Sequence, residues 1–328
     1  MEYETAGDPM SGLKWTRKTM DKISAELSLS GINVSSVTVG KILKTLGFSL
    51  KSNAKKISNG GKKLTPEEVE KRNTQFEYIN AMRKKFESGN CPAISSDTKK
   101  KELIGNFKNP GTRYKKLSDL VNDHDFSTYC IGKAAPYGIY DLFNNEGFIV
   151  VGQFMKEEKN SNFLSADTPE FAVEAIENWW LAKGIKQYSK NKLLILVDAG
   201  GSNGCRSHMW KVKIQEILCN KHSLEVTVCH YPSGASKWNP IEHRLFSEIS
   251  KNWQGTPLID FDTVLKYAQT TKTTTGLKVD AVLVDKKYQK GIKATKEDIQ
   301  GLNLKKHKIN GSWNYTLYPG KELLKQSA

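Results

Sequence analysis

Leu193-Leu194-Ile195-Leu196-Val197-Asp198 is the stretch that decides the fold. An unbroken apolar run ends in a carboxylate, and the small, flexible Ala199-Gly200-Gly201-Ser202-Asn203-Gly204 follows it. A strand with no polar alternation is covered on both faces, as in the middle of an α/β sheet. Its C-terminal end is where open α/β sheets place their chemistry, which makes Asp198 a candidate site residue.

Downstream, Ser233-Gly234-Ala235-Ser236-Lys237-Trp238-Asn239-Pro240-Ile241-Glu242-His243-Arg244 opens a helix. Asn239 reads as its N-cap and Pro240 as its first residue. Ile241, Leu245, Phe246, Ile249 and Trp253 recur at helical spacing and define one buried face. Glu242 points into that stripe, whereas Glu248 falls towards Arg244 and Lys251. An inward glutamate needs a counter-charge, either a nearby Lys or Arg or a metal cation. Upstream, Ala93-Ile94-Ser95-Ser96-Asp97-Thr98 reads as a short strand with a third carboxylate near its end. Two aspartates at strand ends and a glutamate on an inward helix face make an oxygen-only set. Such a set suits Mg²⁺ or Mn²⁺ rather than zinc. Two such ions activate a nucleophile and stabilise a leaving oxygen in phosphodiester chemistry.

Ile94-Ser95-Ser96-Asp97-Thr98-Lys99-Lys100-Lys101-Glu102-Leu103-Ile104-Gly105-Asn106-Phe107-Lys108-Asn109 resembles the first-aspartate block of ISAzo-type bacterial insertion-sequence transposases, a DDE family. Val197-Asp198-Ala199-Gly200-Gly201-Ser202-Asn203-Gly204 resembles the second block, and Lys237-Trp238-Asn239-Pro240-Ile241-Glu242-His243-Arg244-Leu245-Phe246 the glutamate block. The similarity runs from about Gly7 to Trp313-Asn314-Tyr315. It implies an α/β fold with a ribonuclease-H-like catalytic domain, a mixed sheet flanked by helices, and cut-and-join chemistry on DNA. Asp97, Asp198 and Glu242 are then the catalytic, metal-binding triad for two Mg²⁺ or Mn²⁺ ions. The implied partners are DNA, both element ends and target, and further copies of the chain in a homodimer or higher oligomer. A metal-dependent nuclease on the same fold, or an inactive DNA-binding relic or repressor, are the other readings of these residues.

Composition agrees with a polyanionic partner. Lys and Arg number 50 against 35 Asp and Glu, a formal charge of +15, which favours nucleic acid over an anionic membrane surface. No apolar run approaches the ~20 residues of a membrane-spanning helix. The N-terminus has no secretory signature, and five cysteines without a tight framework suit a reducing compartment. A cytoplasmic, nucleoid-associated protein is expected.

In chain order, residues 1–50 are expected to hold a helix-turn-helix DNA-binding unit. Met20, Ile23 and Leu27 face inward on a first helix that Gly31 closes. A second helix, capped by Ser35 or Ser36, has Val39, Ile42, Leu43 and Leu46 inward and Gly47 at its stop. Thr38, Lys41 and Lys44 then face DNA. Family members carry more helical sequence before this point, so the resemblance implies a shortened N-terminus or an alternative start. Residues 51–90 are expected to be a basic linker and a bracing helix. Thr65-Pro66-Glu67-Glu68 opens that helix with a capping box, and Phe76, Ile79, Met82 and Phe86 form its packing face.

Residues 91–255 make the catalytic domain, three strands first and then alternating helices and strands. Strands are expected over Ile139–Phe143 and Phe148–Val151 around an Asn144–Gly147 turn. Helices are expected after Thr168 and over about Arg206 to Cys219, with a strand at Leu224–Cys229. Residues 256–328 form a basic extension packed on this domain. Lys99, Lys100 and Lys101 beside Asp97, with Lys237 and Arg244 beside Glu242, are the expected DNA-backbone contacts. Ser202, Asn203 and Asn239 orient substrate or serve as caps and loop anchors. His230 and His243 touch DNA or a metal-bound water, or are simply hydrogen-bonded in place. Cys205-x-x-His208 and Cys219-x-x-His222 look like zinc-ligand pairs, but one continuous helix would hold the cysteines about 21 Å apart, too far for one ion.

Overall fold

The computed structural model describes residues 5–7, 14–16, 18–50, 64–155, 163–164, 167–235 and 238–320. The basic linker at 51–63 and the expected DNA contact Lys237 lie outside them. The chain divides into two compact units, Met1–Gly61 and Lys62–Ala328.

The first unit has a two-stranded antiparallel pair, β1 (Thr5–Gly7) and β2 (Lys14–Thr16), and two helices, α1 (Met20–Leu29) and α2 (Ser36–Thr45). Thr19 caps α1 by accepting the Lys22 N–H, and Ser35 caps α2 by accepting the Thr38 N–H. Both helices end in the same way. Gly31 (φ +82°) and Gly47 (φ +81°) take left-handed backbone, and the next residues, Ile32 and Phe48, donate back to the carbonyls of Leu27 and Leu43. Ile23 and Val39 are buried as expected. Met20, Ile42 and Leu46 are instead 48%, 45% and 65% exposed, because each short helix has one helical neighbour, too narrow to cover the whole apolar stripe.

The second unit opens with α3 (Pro66–Ser88), whose Thr65 and Glu68 form a reciprocal capping box. Ile79, Met82 and Phe86 are buried and Phe76 is half-buried, and Gln75, which the expected packing face did not include, is fully buried beside them. Its amide donates to the His230 carbonyl (2.9 Å) and to Asn314 Oδ1 (2.8 Å), and its oxygen accepts from Asn310 and Asn314. A polar side chain is tolerated there because its hydrogen-bonding capacity is used.

There follow β3 (Ala93–Thr98), β4 (Glu102–Ile104), β5 (Gly132–Asp141), β6 (Glu146–Met155), β7 (Phe163–Leu164) and α4 (Pro169–Trp179). Beyond a wide π-type stretch at Trp180–Gly184 come α5 (Ile185–Gln187), β8 (Lys192–Asp198), α6 (His208–Lys213), β9 (Glu225–Tyr231) and α7 (Ser247–Trp253). The C-terminal part contributes α8 (Phe261–Gln269), β10 (Lys278–Val284), β11 (Tyr288–Gln289), α9 (Lys296–Gln300), β12 (Leu304–Lys306) and β13 (Asn314–Leu317).

The main sheet has the order β10-β6-β5-β3-β8-β9-β13-β12, with β4 also paired to β5. β5 is antiparallel to both of its neighbours β3 and β6, and β8 then β9 run parallel to β3. That is the mixed sheet and element order expected of a ribonuclease-H-like domain. In β8, Leu193, Ile195 and Val197 face α4 and α6, whereas Leu194 and Leu196 meet Ile79, Met82 and Phe86 of α3. Helices therefore cover both faces, which explains the absence of polar alternation. The helical run from Pro240 through α7, together with α8, covers the β5, β6 and β10 side of the α3 face.

Several boundaries differ from expectation. The β5–β6 turn is Leu142–Asn145, with Asn145 at φ +53°, so Glu146 and Gly147 belong to β6. β5 begins far earlier, at Gly132, and contains Pro136. The carbonyl of Pro136 accepts the Lys99 N–H at 2.8 Å where the ladder passes from β3 to β4, so its missing N–H costs no ladder bond. α6 starts at His208, which leaves Cys205 in the preceding turn rather than on the helix. The segment after residue 255 is the one expected as a basic extension packed on the domain. It supplies both flanks of the sheet, β10 parallel to β6 and β13 antiparallel to β9.

Candidate active site

Asp97 and Asp198 stand at the C-terminal ends of adjacent parallel strands. The register that pairs Ser95 with Leu196 carries Asp97 level with Asp198. Successive residues point to opposite faces, so the two carboxylates share a face and an edge. Asp97 is paired across the other side with Gly138 of β5.

Glu242 reaches the site through helix packing. A Cβ on Gly138 would stand 2.4 Å from Phe246 Cε1 and 2.9 Å from Ile241 Cδ1. One on Gly147 would stand 2.4 Å from Leu245 Cδ1. The two bare strand positions therefore act as sockets for the side chains flanking Glu242, and only glycine permits that approach. The turn Glu242–Phe246 winds as a π-helix rather than the α-helix expected from periodicity. Such wide turns often accompany functional sites. Ile241, Leu245, Phe246, Ile249 and Trp253 are all buried, and Glu242 is half-buried beside them.

Asn239 corrects a simple capping role. Its side chain is fully buried, its Nδ2 donates to Asp198 Oδ1 at 3.1 Å, and its Oδ1 accepts the Ser95 hydroxyl. One amide thus ties β3, β8 and the start of the Glu242 helix together. Its backbone carbonyl accepts the Glu242 N–H at 3.2 Å.

The electrostatics are those of a crowded acidic pocket. Burial pushes Asp97 up to about 7, with Asp198, Glu242 and Asp167 adding repulsion and the Thr98 N–H opposing it. Burial raises Asp198, and the Asn239 amide opposes the rise. Glu242 is raised by burial and then by Asp198, against His243 and Lys99. None of the three carboxylates forms an ion pair with a described lysine or arginine. Among the described residues, no three His, Cys, Asp or Glu side chains converge tightly enough to hold one ion.

The expected DNA contacts divide. Lys99 is only 7% exposed, pairs with Glu102 at 2.7 Å and lies 4.5 Å above the Trp253 ring. It packs the base of the site instead of facing solvent, because a carboxylate and an indole face offer it partners there. Lys100 and Arg244 are exposed. Lys101 is also exposed, pairs with Asp167 and lies over Phe154. Thr38, Lys41 and Lys44 are exposed on α2, the Thr38 hydroxyl sharing a hydrogen bond with Ser35. His230 is buried, bonded to the Asp198 carbonyl (3.1 Å) and the Tyr315 hydroxyl (3.0 Å), so burial holds it neutral, down to about 4. His243 is exposed. Asn203 is a buried loop anchor that accepts from the Tyr137 hydroxyl at 3.0 Å.

A family model described as the Rhodopirellula transposase DDE domain matches residues 1–319. No curated protein matches the chain. Among solved structures, the Mos1 transposase paired-end complex with the left transposon end has a TM-score of 0.44 at 14% identity, over 80% of this chain and 73% of that one. The Mos1 mariner paired-end complex with Mn has a TM-score of 0.42 at 14% identity, over 76% of this chain and 65% of that one. Likenesses so distant add nothing to the assignment, which rests on the family match. By that match over nearly its whole length, the chain belongs to the Rhodopirellula transposase DDE-domain family.

Proposed function

We propose that the chain cuts and joins DNA with Asp97, Asp198 and Glu242 as its catalytic residues, holding two Mg²⁺ or Mn²⁺ ions at the scissile phosphodiester. The observation that carries this reading is the acidic pocket. Asp97 and Asp198 at the ends of two adjacent strands, and Glu242 on the helix packed beside them, are all raised by burial with no described lysine or arginine in ion-pair contact. Burying charge without a counter-charge is costly, and divalent cations supply one. An oxygen-only donor set fits hard cations. Asp97, Asp198 and Glu242 would hold such ions between them. When bound, such ions activate a water or a DNA 3′-hydroxyl and offset charge on the leaving oxygen.

The residues divide the remaining work. Asp97 and Asp198 define the sheet edge, and Glu242 closes the pocket from the helix. Asn239 fixes the Asp198 carboxylate. Lys100, Lys101 and Arg244 lie along the backbone of the substrate, as does Lys237. In the first unit, α1 and α2 act as a helix-turn-helix with Thr38, Lys41 and Lys44 towards DNA. The assembly on DNA is a homodimer or higher oligomer acting at the nucleoid. Among the described residues, no helix is long and apolar enough to cross a membrane.

The test is a strand-transfer assay with pre-cleaved element ends and a separate nicking assay, both with Mg²⁺. The unaltered chain nicks and joins, whereas Asp97→Asn, Asp198→Asn and Glu242→Gln do neither and still bind DNA. Nicking without joining indicates a nuclease, and retained cleavage by a variant removes that residue from the mechanism.

A further inference from the structure

At the end of the sheet remote from Asp198, a groove of about 550 Å³ opens between α3 and the β12–β13 hairpin. Lys85 of α3, Lys192 at the start of β8, and Lys305, Lys306 and Lys308 of the hairpin line it. The acidic residue among its described lining, Glu225, is already paired with Lys192 at 3.2 Å. Lys85, Lys305, Lys306 and Lys308 are exposed, and none forms an ion pair with a described carboxylate. A fixed polar floor holds the two walls together. The Tyr78 hydroxyl meets His307 Nδ1 at 2.7 Å, and His307 Nε2 meets the Thr316 hydroxyl at 2.8 Å. Burial lowers the pKa of His307, and Lys85 and Lys305 lower it further, which marks an uncompensated positive field.

The basic strip continues along α3. Lys71, Tyr78 and Lys85 recur at seven-residue spacing, and Lys71 lies 5.1 Å over the ring of Trp313 at the end of the hairpin turn. Fourteen helical residues span about 21 Å. Duplex DNA presents about six phosphates per strand over that length. β8 separates the groove from the carboxylates by about 20 Å, the rise from Lys192 to Asp198. No Arg, Asn or Gln is among the groove's described lining, so base reading has few of its usual donors, and backbone contact fits better.

We propose that this seam, which runs from the groove along α3 back towards the carboxylate end of the sheet, grips the backbone of duplex DNA without reading its sequence. The inference rests on DNA being the substrate, as proposed above. Its test is the salt dependence of binding of the full-length chain to a labelled duplex of random sequence. Replacing Lys85, Lys305, Lys306 and Lys308 together by Ala is expected to reduce the slope of log K against log salt by about 3–4, from roughly 0.9 per phosphate contact. A control replacing the exposed Lys272, Lys278, Lys293 and Lys296 is expected to change it by less than about 1. Equal slopes for the groove variant and the unaltered chain overturn the inference, as does an equal loss in the control. If the fourfold variant fails to fold, Lys308→Glu alone, on the exposed loop, is expected to lower the slope, and an unchanged slope overturns the inference. Nicking by the unaltered chain tests the function separately. A groove variant with an unchanged slope beside an active chain sinks only the groove, and a lowered slope beside an inactive chain sinks only the chemistry.

Discussion

The Asn239 amide donates to Asp198 Oδ1 at 3.1 Å while its own oxygen receives the Ser95 hydroxyl. The residue therefore couples the helix that carries Glu242 to both strands that carry the aspartates. A hydrogen bond that orients a metal ligand is worth about 10–100-fold in metal affinity or activity. Asn239→Ala is expected to slow Mg²⁺-dependent nicking by about that factor while DNA affinity stays within about twofold. Asn239→Asp, which adds a further acid beside Asp198, is expected to be slower still. A quenched nicking assay run beside a binding titration measures both, and unchanged nicking removes the positioning role.

Gly138 faces Asp97 across the β3–β5 ladder and receives the ring of Phe246. A methyl group there forces Phe246 and Ile241 outward, at a cost of about 1–3 kcal/mol. It also moves Glu242 away from the aspartates, and displacements near 1 Å can cost about 100-fold in rate. Gly138→Ala is expected to lose most nicking activity while remaining folded by circular dichroism. Pairing it with Phe246→Leu is expected to recover a part, because the two positions share one contact. Full activity in the single variant would show that the socket does not set the position of Glu242.

Much of this architecture can be read locally, and the rest cannot. β8 is legible because a strand covered on both sides needs no polar alternation, and Glu242 stands out because an acid occupies an apolar helical stripe. Thr65-Pro66-Glu67-Glu68 announces its capping box through short-range chemistry alone. The places of β10 and β13 are set by pairing with strands far away in the chain, which leaves no local mark. Lys99 looks like its neighbours Lys100 and Lys101 until Glu102 and Trp253 close over it. Gly138 did leave a signal, since a glycine inside an apolar strand suggests a close backbone approach. Asn239 is ambiguous in principle, because Asn-Pro serves a helix cap and a buried amide equally well.

Asp97 gives the metal-free chain a pH signature. Its folded pKa, about 7, lies above the ordinary aspartate value near 3.9. The unfolded chain therefore gives up this proton first as pH rises. The stabilisation is full below about pH 4 and is lost progressively as pH climbs through 7. Relative to Asp97→Asn, the unaltered chain in chelator is expected to lose on the order of 2–3 kcal/mol between pH 5 and pH 8. Denaturant melts of both proteins at the two pH values measure it. A difference that does not change with pH means that the Asp97 carboxyl is not held in an acidic, desolvated pocket.

The most direct measurement is a Mn²⁺ titration followed by electron paramagnetic resonance, with a nicked duplex present. Two ions bound per unaltered chain, falling by at least one in each of Asp97→Asn, Asp198→Asn and Glu242→Gln, is the predicted result. Undiminished Mn²⁺ binding in all three variants would contradict the assignment of these carboxylates to the metals.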